Sequence, residues 1–262
     1  MSFSVPGRAA EGPLLELLVG ERTVPHLWPE NYWFRRHEVV YRALAAQPAL
    51  TSGPVLEAGS GEGYGVQLLR RGGAEHVVAL DYDQDALRHA RHAYPGDVTG
   101  RAVRTNLTAL PLADGCAAAI TCLQVIEHLW TPEQFLSECE RVLRPGGLLA
   151  VSTPNRLTFS PGLGRGQKPP NPYHWREFDA EELHDLIAAR LPVTEVLGVR
   201  AGPRLLEWQA EHGDLVTAQL ASEPEQWTDA LRSMVTSVTA DDFVVGPVDG
   251  DALDLVVLAR RG

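Results

Sequence analysis

Apolar positions along the chain change their period at regular intervals. Residues 31–46 repeat at helical spacing, with Trp33, Val40 and Leu44 as the expected buried stripe. Pro48 and the pair Gly53-Pro54 end that segment. The short apolar run PVLEAG (54–59) reads as a buried strand, and 63–72 as a helix closed by Gly72 and Gly73. The alternation continues with a strand over 76–81, a helix over 84–94 stopped by Pro95, and strands over 101–106 and 117–124. Thr131-Pro132-Glu133 supplies an N-cap and a first-turn proline for a helix that runs to Leu143. Pro145-Gly146-Gly147 then turns the chain into a strand over 148–153. Strands separated by helices in this order imply an α/β fold, a parallel sheet with helices on both faces.

After Pro154 the rhythm breaks. Residues 155–178 are rich in proline, glycine and aromatic side chains, too rich for a plain connector. A helix over 180–191 and a strand over 193–199 restore the pattern, a largely helical interruption follows over 203–245, and 251–261 supplies a last strand. The expected organisation is an N-terminal arm and a covering helix over 1–48, then one α/β domain over 49–262 with insertions at about 155–178 and 203–245. The arm carries an apolar run, Leu14 to Val19, expected to pack on the body or on a second subunit as a homodimer.

Composition narrows the function. The chain has 34 acidic against 23 basic residues among 262, a formal charge of -11, and its arginines are scattered. Such a surface repels a phosphate backbone, so nucleic acid is not the expected partner. No apolar run approaches the ~20 residues that span a bilayer, so no stable membrane insertion is expected. The start, MSFSVPGRAAEG, lacks a signal-peptide layout. Cys116, Cys122 and Cys139 show no metal spacing and read as reduced thiols, so the expected location is cytoplasmic.

The strongest local signal is Val55-Leu56-Glu57-Ala58-Gly59-Ser60-Gly61-Glu62-Gly63, a buried strand running into three alternate glycines and then a helix. Glycine serves where the backbone turns tightly and a ligand lies against it. The dinucleotide fingerprint GxGxxG fails in both registers, because position 64 is Tyr64 and position 66 is Val66. Glu57 would also repel a pyrophosphate there, and suits a cationic or amine-bearing ligand. A nicotinamide oxidoreductase is disfavoured on those grounds. Asp81, at the end of the second strand, can accept both hydroxyls of a ribose, although an acid beside Asp83 at a helix start is the plainer reading.

Those residues, followed by Asn106-Leu107, Leu110-Pro111-Leu112-Ala113-Asp114, Gln124-Val125-Ile126-Glu127-His128-Leu129 and Arg141-Val142-Leu143-Arg144-Pro145-Gly146-Gly147, resemble the ordered motifs of class I S-adenosylmethionine-dependent methyltransferases. The resemblance covers roughly 50–195. It implies a Rossmann-like seven-stranded sheet with the last strand antiparallel, and S-adenosyl-L-methionine as cofactor. It also implies that the methionine end lies near Glu57, Gly59 and Gln124, the ribose on Asp81, and the adenine between Tyr82 and the Asn106-Leu107 turn, with Ser60, Gly61 and Gly63 also binding the cofactor. Asn106 departs from the aspartate many members carry, but an amide still hydrogen-bonds an adenine amino group.

Gly20-Glu21-Arg22-Thr23-Val24-Pro25, Glu30-Asn31-Tyr32-Trp33-Phe34-Arg35-Arg36-His37, Ser152-Thr153-Pro154-Asn155-Arg156 and Thr158-Phe159-Ser160-Pro161-Gly162 are similar to a narrower group. This is the actinobacterial sugar O-methyltransferases encoded with the enzymes of 6-O-methylglucose lipopolysaccharide synthesis. That likeness spans nearly the whole chain except 203–250, and implies O-methylation of glucose units in a cytosolic α-glucan. Residues Tyr32 to Arg36 have two readings. Either they fold over the cofactor mouth and Arg36 pairs with its carboxylate, or Trp33 packs on the sheet while both arginines face water.

A sugar hydroxyl is a weak acid and needs help to lose its proton. His174, in the aromatic insertion, and His128, after the fourth strand, are the leading candidates for that base, with Glu127 as the carboxylate alternative. His26 and His37 trail; His76, His89, His92, His184 and His212 are expected at the surface. No acidic cluster at ligand spacing is visible, so no metal is expected. Trp130, Tyr173 and Trp175 are expected at the active edge to stack on sugar faces, with Phe159 in a satellite core. The rival acceptor, a quinone, polyketide or other small lipid, predicts an apolar cleft, whereas the insertion carries Arg156, Arg165, Lys168, Asn171 and Arg176. A cofactor-binding protein without catalysis is the remaining class.

Overall fold

The apolar runs become the strands β1 (Val55–Ala58), β2 (Val77–Asp81), β3 (Ala102–Arg104), β4 (Ala117–Leu123), β5 (Leu143–Pro154), β6 (Val193–Ala201), β7 (Phe243–Pro247) and β8 (Asp254–Arg260). The computed structural model describes residues 22–98 and 100–262, so the arm and its apolar run, Leu14 to Val19, lie outside the described residues. The helices are α1 (Asn31–Leu44), α2 (Tyr64–Arg71), α3 (Gln84–Ala93), α4 (Pro95–Val98), α5 (Pro132–Val142), α6 (Arg156–Phe159), α7 (Ala180–Ala188), α8 (Pro203–His212), α9 (Leu215–Leu220) and α10 (Asp229–Ser237).

All eight strands join one sheet in the order β3-β2-β1-β4-β5-β8-β6-β7. Pairings from β3 to β5 are parallel. β8 runs antiparallel between β5 and β6, and β7 runs antiparallel outside β6. Among the described residues the sheet thus has one strand more than the seven expected. The missed strand, β7, begins inside the segment read as a helical insertion, where Phe243-Val244-Val245 is too brief an apolar run to stand out between Asp242 and Gly246-Pro247.

Alternation along each strand builds two cores. Val55, Val77, Ala79, Ala119, Leu148, Ala150, Val256 and Leu258 face one side, under α1, α2, α3 and the α8–α10 region. Leu56, Leu80, Ile120, Leu149, Val151, Leu255 and Val257 face the other, under α5 and α7. Local capping agrees with this division. Asp83 caps α3 by accepting from the Asp85 N–H at 2.8 Å, and Asp179 and Glu182 form a reciprocal capping box at the start of α7. Thr131 holds the N-cap position of α5 but its side chain accepts no capping bond; its hydroxyl donates to Gln134 at 3.1 Å.

The chain leaves β1 toward β2 and β3, then returns to β4 and β5 on the other side. The crevice between the C-terminal ends of β1 and β4 is thus a topological switch point, where ligands of open α/β sheets bind. Because β8 is reversed, its first residue, Asp254, sits opposite Pro154 at that same edge.

The turn from β1 into α2 depends on Gly63, whose φ of +88° lies in the left-handed region and whose absent Cβ would meet the Ala90 Cβ at 2.7 Å. Gly63→Ala is expected to lower unfolding free energy by about 1–3 kcal/mol. Urea denaturation of the purified variant measures this.

Candidate active site

The crevice opens into a cavity of ≈ 510 Å³. Its floor is the β1 end, where Glu57 is 2% exposed. The Tyr41 and Thr121 hydroxyls donate one to each Glu57 oxygen. Burial nevertheless dominates and pushes the Glu57 carboxyl up to about 7. Gly65 makes the arrangement possible, because a Cβ there would strike both the Tyr41 hydroxyl and the Glu57 carboxylate. Its place in Gly63-Tyr64-Gly65 is thus set by a side chain on α1.

Past β1, the backbone turns through Gly59 at φ +73° and Gly61 at φ +45°. A Cβ on Gly59 would collide with Val125, whereas Gly61 has nothing within 4 Å of that position and presents bare backbone. The Gly61 N–H donates to Asp81 Oδ2 at 2.7 Å, and the Asp83 N–H to Asp81 Oδ1 at 2.8 Å. Each Asp81 oxygen keeps acceptor capacity for a further donor.

On the opposite wall, Gln124 follows β4 with φ 58°, a left-handed conformation that only Gln124 adopts among the described non-glycine residues. Its N–H donates to the Ser152 carbonyl at 2.8 Å, and its side-chain amide to Asp254 Oδ1 at 3.3 Å. Asp254, fully buried, pairs with Arg36 at 2.9 Å. The Arg36 guanidinium lies between the Trp33 and Phe159 rings, 4.8 and 4.9 Å from their centroids. Arg36 is therefore buried on the cavity wall and not in water, while Trp33 packs against the core. Arg35 instead pairs with Glu38 at 2.6 Å. Arg36 Nη1, Ser60 Oγ and Glu62 Oε1, all buried on the wall, have no hydrogen-bond partner among the described residues.

At the outer wall stand Glu127, His128 and His174, whose donor atoms lie within 4.8 Å of one another. A 3-10 turn after β4 carries the first two, and the insertion carries the third. The Glu127 carbonyl accepts from the Trp175 N–H at 2.8 Å and so fastens the insertion to the turn. Glu127 Oε2 accepts from the Thr153 hydroxyl at 2.9 Å, and burial raises its carboxyl. His128 Nδ1 is 3.0 Å from the Tyr173 carbonyl, and His174 Nδ1 is 2.8 Å from Glu177 Oε1.

Several sequence expectations change. Tyr32 does not line the cavity; it is 1% exposed in the core against Trp33 and Phe243. Gly63, Asp81, Tyr82, Asn106 and Leu107 are not among the residues that line the cavity. Tyr82 offers a ring 73% exposed, while Leu107 is a core residue. Asn106 Oδ1 already accepts from the Thr108 N–H and hydroxyl at 3.0 and 2.9 Å, so accepting from an adenine would displace one of these.

Arg156 is no part of a polar cleft. It is 6% exposed and ties the insertion to Glu182 at 2.7 Å and to Asp179. Of the five polar insertion residues, Asn171 lines the cavity. Phe159, expected in a satellite core, forms cavity wall, and His89 is half-buried against Glu62 at 3.0 Å. Sequence reasoning passed over Glu30, Asp254 and Glu177, and ranked His37 low. His37 lines the cavity, and burial together with Arg36 holds it down to about 3, hence neutral. An acid inside the apolar run of β8 was the available signal for Asp254.

A family model described as a methyltransferase domain matches residues 56–151. A probable S-adenosylmethionine-dependent methyltransferase of Mycolicibacterium smegmatis is 47% identical over 93% of this chain and 95% of its own length. One of Mycobacterium tuberculosis is 44% identical over 98% and 93%. A ubiquinone biosynthesis O-methyltransferase of Hahella chejuensis is 31% identical over 62% of this chain and 72% of its own. Among solved structures, a geranyl diphosphate methyltransferase in complex with SAM superposes with a TM-score of 0.59 at 15% identity, over 93% of each chain, a likeness of fold.

The raised Glu57 carboxyl links stability to pH. Its native pKa of about 7 exceeds the ordinary 4.5, so the native state holds the proton more tightly. The stability this contributes is full below about 4.5 and is lost as pH rises through about 7. Between pH 5 and pH 8, wild type is expected to lose roughly 2–3 kcal/mol relative to Glu57→Gln. Urea denaturation of both proteins across that range measures the difference.

Proposed function

The chain belongs to the S-adenosylmethionine-dependent methyltransferases, and we propose that within them it is an O-methyltransferase acting on a sugar hydroxyl, with glucose units of an α-glucan as the acceptor. The cavity wall suits the amino-acid end of the cofactor. Glu57 is a buried carboxylate for the ammonium, Arg36 Nη1 an orphaned donor for the carboxylate, and Ser60 Oγ a further unpartnered group. Asp81 receives the ribose, and the bare backbone at Gly61 lets it approach. Gln124 fits the same end of the cofactor, across the crevice from Gly59. When bound, S-adenosylmethionine supplies a methyl group on a sulfonium, which an oxygen nucleophile takes as sulfur recovers the bonding pair.

This chain must then align an acceptor oxygen and relieve it of its proton. The Glu127, His128 and His174 group supports that role, because it borders the cavity beyond the glycine turn. The observation that carries the sugar reading lies around this group. Tyr173 and Trp175 flank His174 in sequence, Trp130 lies two residues after His128, and the three rings are 54%, 56% and 70% exposed. The Trp130 and Trp175 rings meet edge-to-face with centroids 4.1 Å apart. Large aromatic rings left in water beside a polar site are suited to stack on the apolar face of a pyranose.

Transfer of labelled methyl from S-adenosylmethionine to α-1,4-glucan oligosaccharides tests the proposal, with a quinone precursor alongside. Label on the glucan is expected; label on the quinone alone overturns the sugar reading. Trp130→Ala and Trp175→Ala are each expected to raise the glucan KM about tenfold, roughly the loss of one ring contact, while leaving cofactor affinity unchanged. Steady-state kinetics and cofactor titration measure the two.

A further inference from the structure

Both histidines beside Glu127 have one ring nitrogen committed to an oxygen. His128 Nδ1 faces the Tyr173 carbonyl at 3.0 Å, an acceptor only, so Nδ1 carries the proton and Nε2 the lone pair. His174 Nδ1 faces Glu177 Oε1 at 2.8 Å, which sets the same tautomer. The Asn171 amide agrees: its Oδ1 accepts from the Tyr173 N–H at 3.0 Å, which turns its NH₂ toward His174 Nε2 at 3.2 Å. An amide donor aimed at that nitrogen requires a lone pair on it. Glu127 Oε2 accepts from Thr153, which leaves Oε1 as the second donor atom.

A histidine that presents one lone pair while its other nitrogen donates to a carboxylate or a backbone carbonyl has the arrangement of a metal ligand. We propose that Glu127, His128 and His174 bind a divalent transition ion of the zinc or cobalt type, with Glu177 and the Tyr173 carbonyl orienting the two imidazoles. Two imidazoles and a carboxylate favour such an ion over magnesium or calcium, which prefer all-oxygen sites. Ligands about 2.0–2.2 Å from a common ion stand about 3–4 Å apart, so donors within 4.8 Å of one another need small side-chain rotations, and Asn171 yields its contact with His174.

The sequence showed no ligand spacing because His174 arrives from the insertion, fastened by the Glu127 carbonyl. The ion's role rests on the methyl-transfer reading; its binding does not. A hydroxyl that takes a remaining coordination position has its pKa lowered, so its proton leaves to water without a histidine base.

The test titrates Co²⁺ into chelator-treated full-length protein, read by visible absorption and by calorimetry. One ion per chain is expected, with affinity at least about tenfold weaker in His128→Gln and in His174→Gln and measurably weaker in Glu177→Gln. Cofactor binding by each variant reports that it is folded. No saturable Co²⁺ binding to wild type, or equal affinity in both folded histidine variants, overturns the proposal. Glucan methylation by metal-free protein that does not bind Co²⁺ sinks the ion and leaves the acceptor reading standing. Co²⁺ binding with no glucan labelling does the reverse.

Discussion

A carboxylate kept out of water at the end of β1 sets the terms for the rest of this structure. Glu57 is buried at the topological switch point, and burying a charge is costly unless it is paired or neutralised. The fold answers with two hydroxyls from different elements, Tyr41 on α1 and Thr121 on β4. For Tyr41 to reach it, α1 must lie on the sheet and α2 must carry no side chain at Gly65. The helix that precedes the first strand is thereby built into the site. It also brings Arg36 and His37 to the cavity.

The opposite wall is organised by charge of the other sign. Arg36 reaches across to Asp254, and Asp254 also receives Gln124, which joins α1, β8 and the β4 turn in one buried network. The reversed strand β8 is what brings an acid to this edge: were it parallel to β5, its first residue would lie at the far end of the sheet. Gln124 accepts a left-handed backbone conformation within this network, a strain of the kind found where a ligand must be met closely. A cavity with a protonatable carboxylate on one side and an arginine with an unpartnered nitrogen on the other is complementary to an amino acid group.

Period and punctuation made the sheet readable. Strands β1, β2, β4 and β5, helices α2, α3 and α5 and the glycine turn follow from apolar periodicity and from glycine and proline positions, within a residue or two at most ends, although β5 begins at Leu143 and the short α4 was not foreseen. What escaped was whatever depends on contacts between distant segments. β7 is short and framed by turn residues, so only its pairing with β6 identifies it. Tyr32 and Arg36 sit one turn apart on one face of α1, yet one meets the core and the other the cavity, a difference set by what each turn of the helix packs against. Arg156 looked like cleft lining from composition, but its partners Asp179 and Glu182 come from the α7 cap. Glu127, His128 and His174 were each named as single candidates, and their convergence appeared only with the fold.

The central claim is that Glu57 receives the cofactor's positive charge. At pH 6 a Glu57 carboxyl near 7 is mostly protonated, and a cation bound beside it lowers that value. Calorimetry of S-adenosylmethionine binding at pH 6, in two buffers of different ionisation heat, counts the protons exchanged. The account predicts net proton release by wild type, reduced in Glu57→Gln by up to about one proton per chain. Equal proton exchange in the two proteins would contradict it.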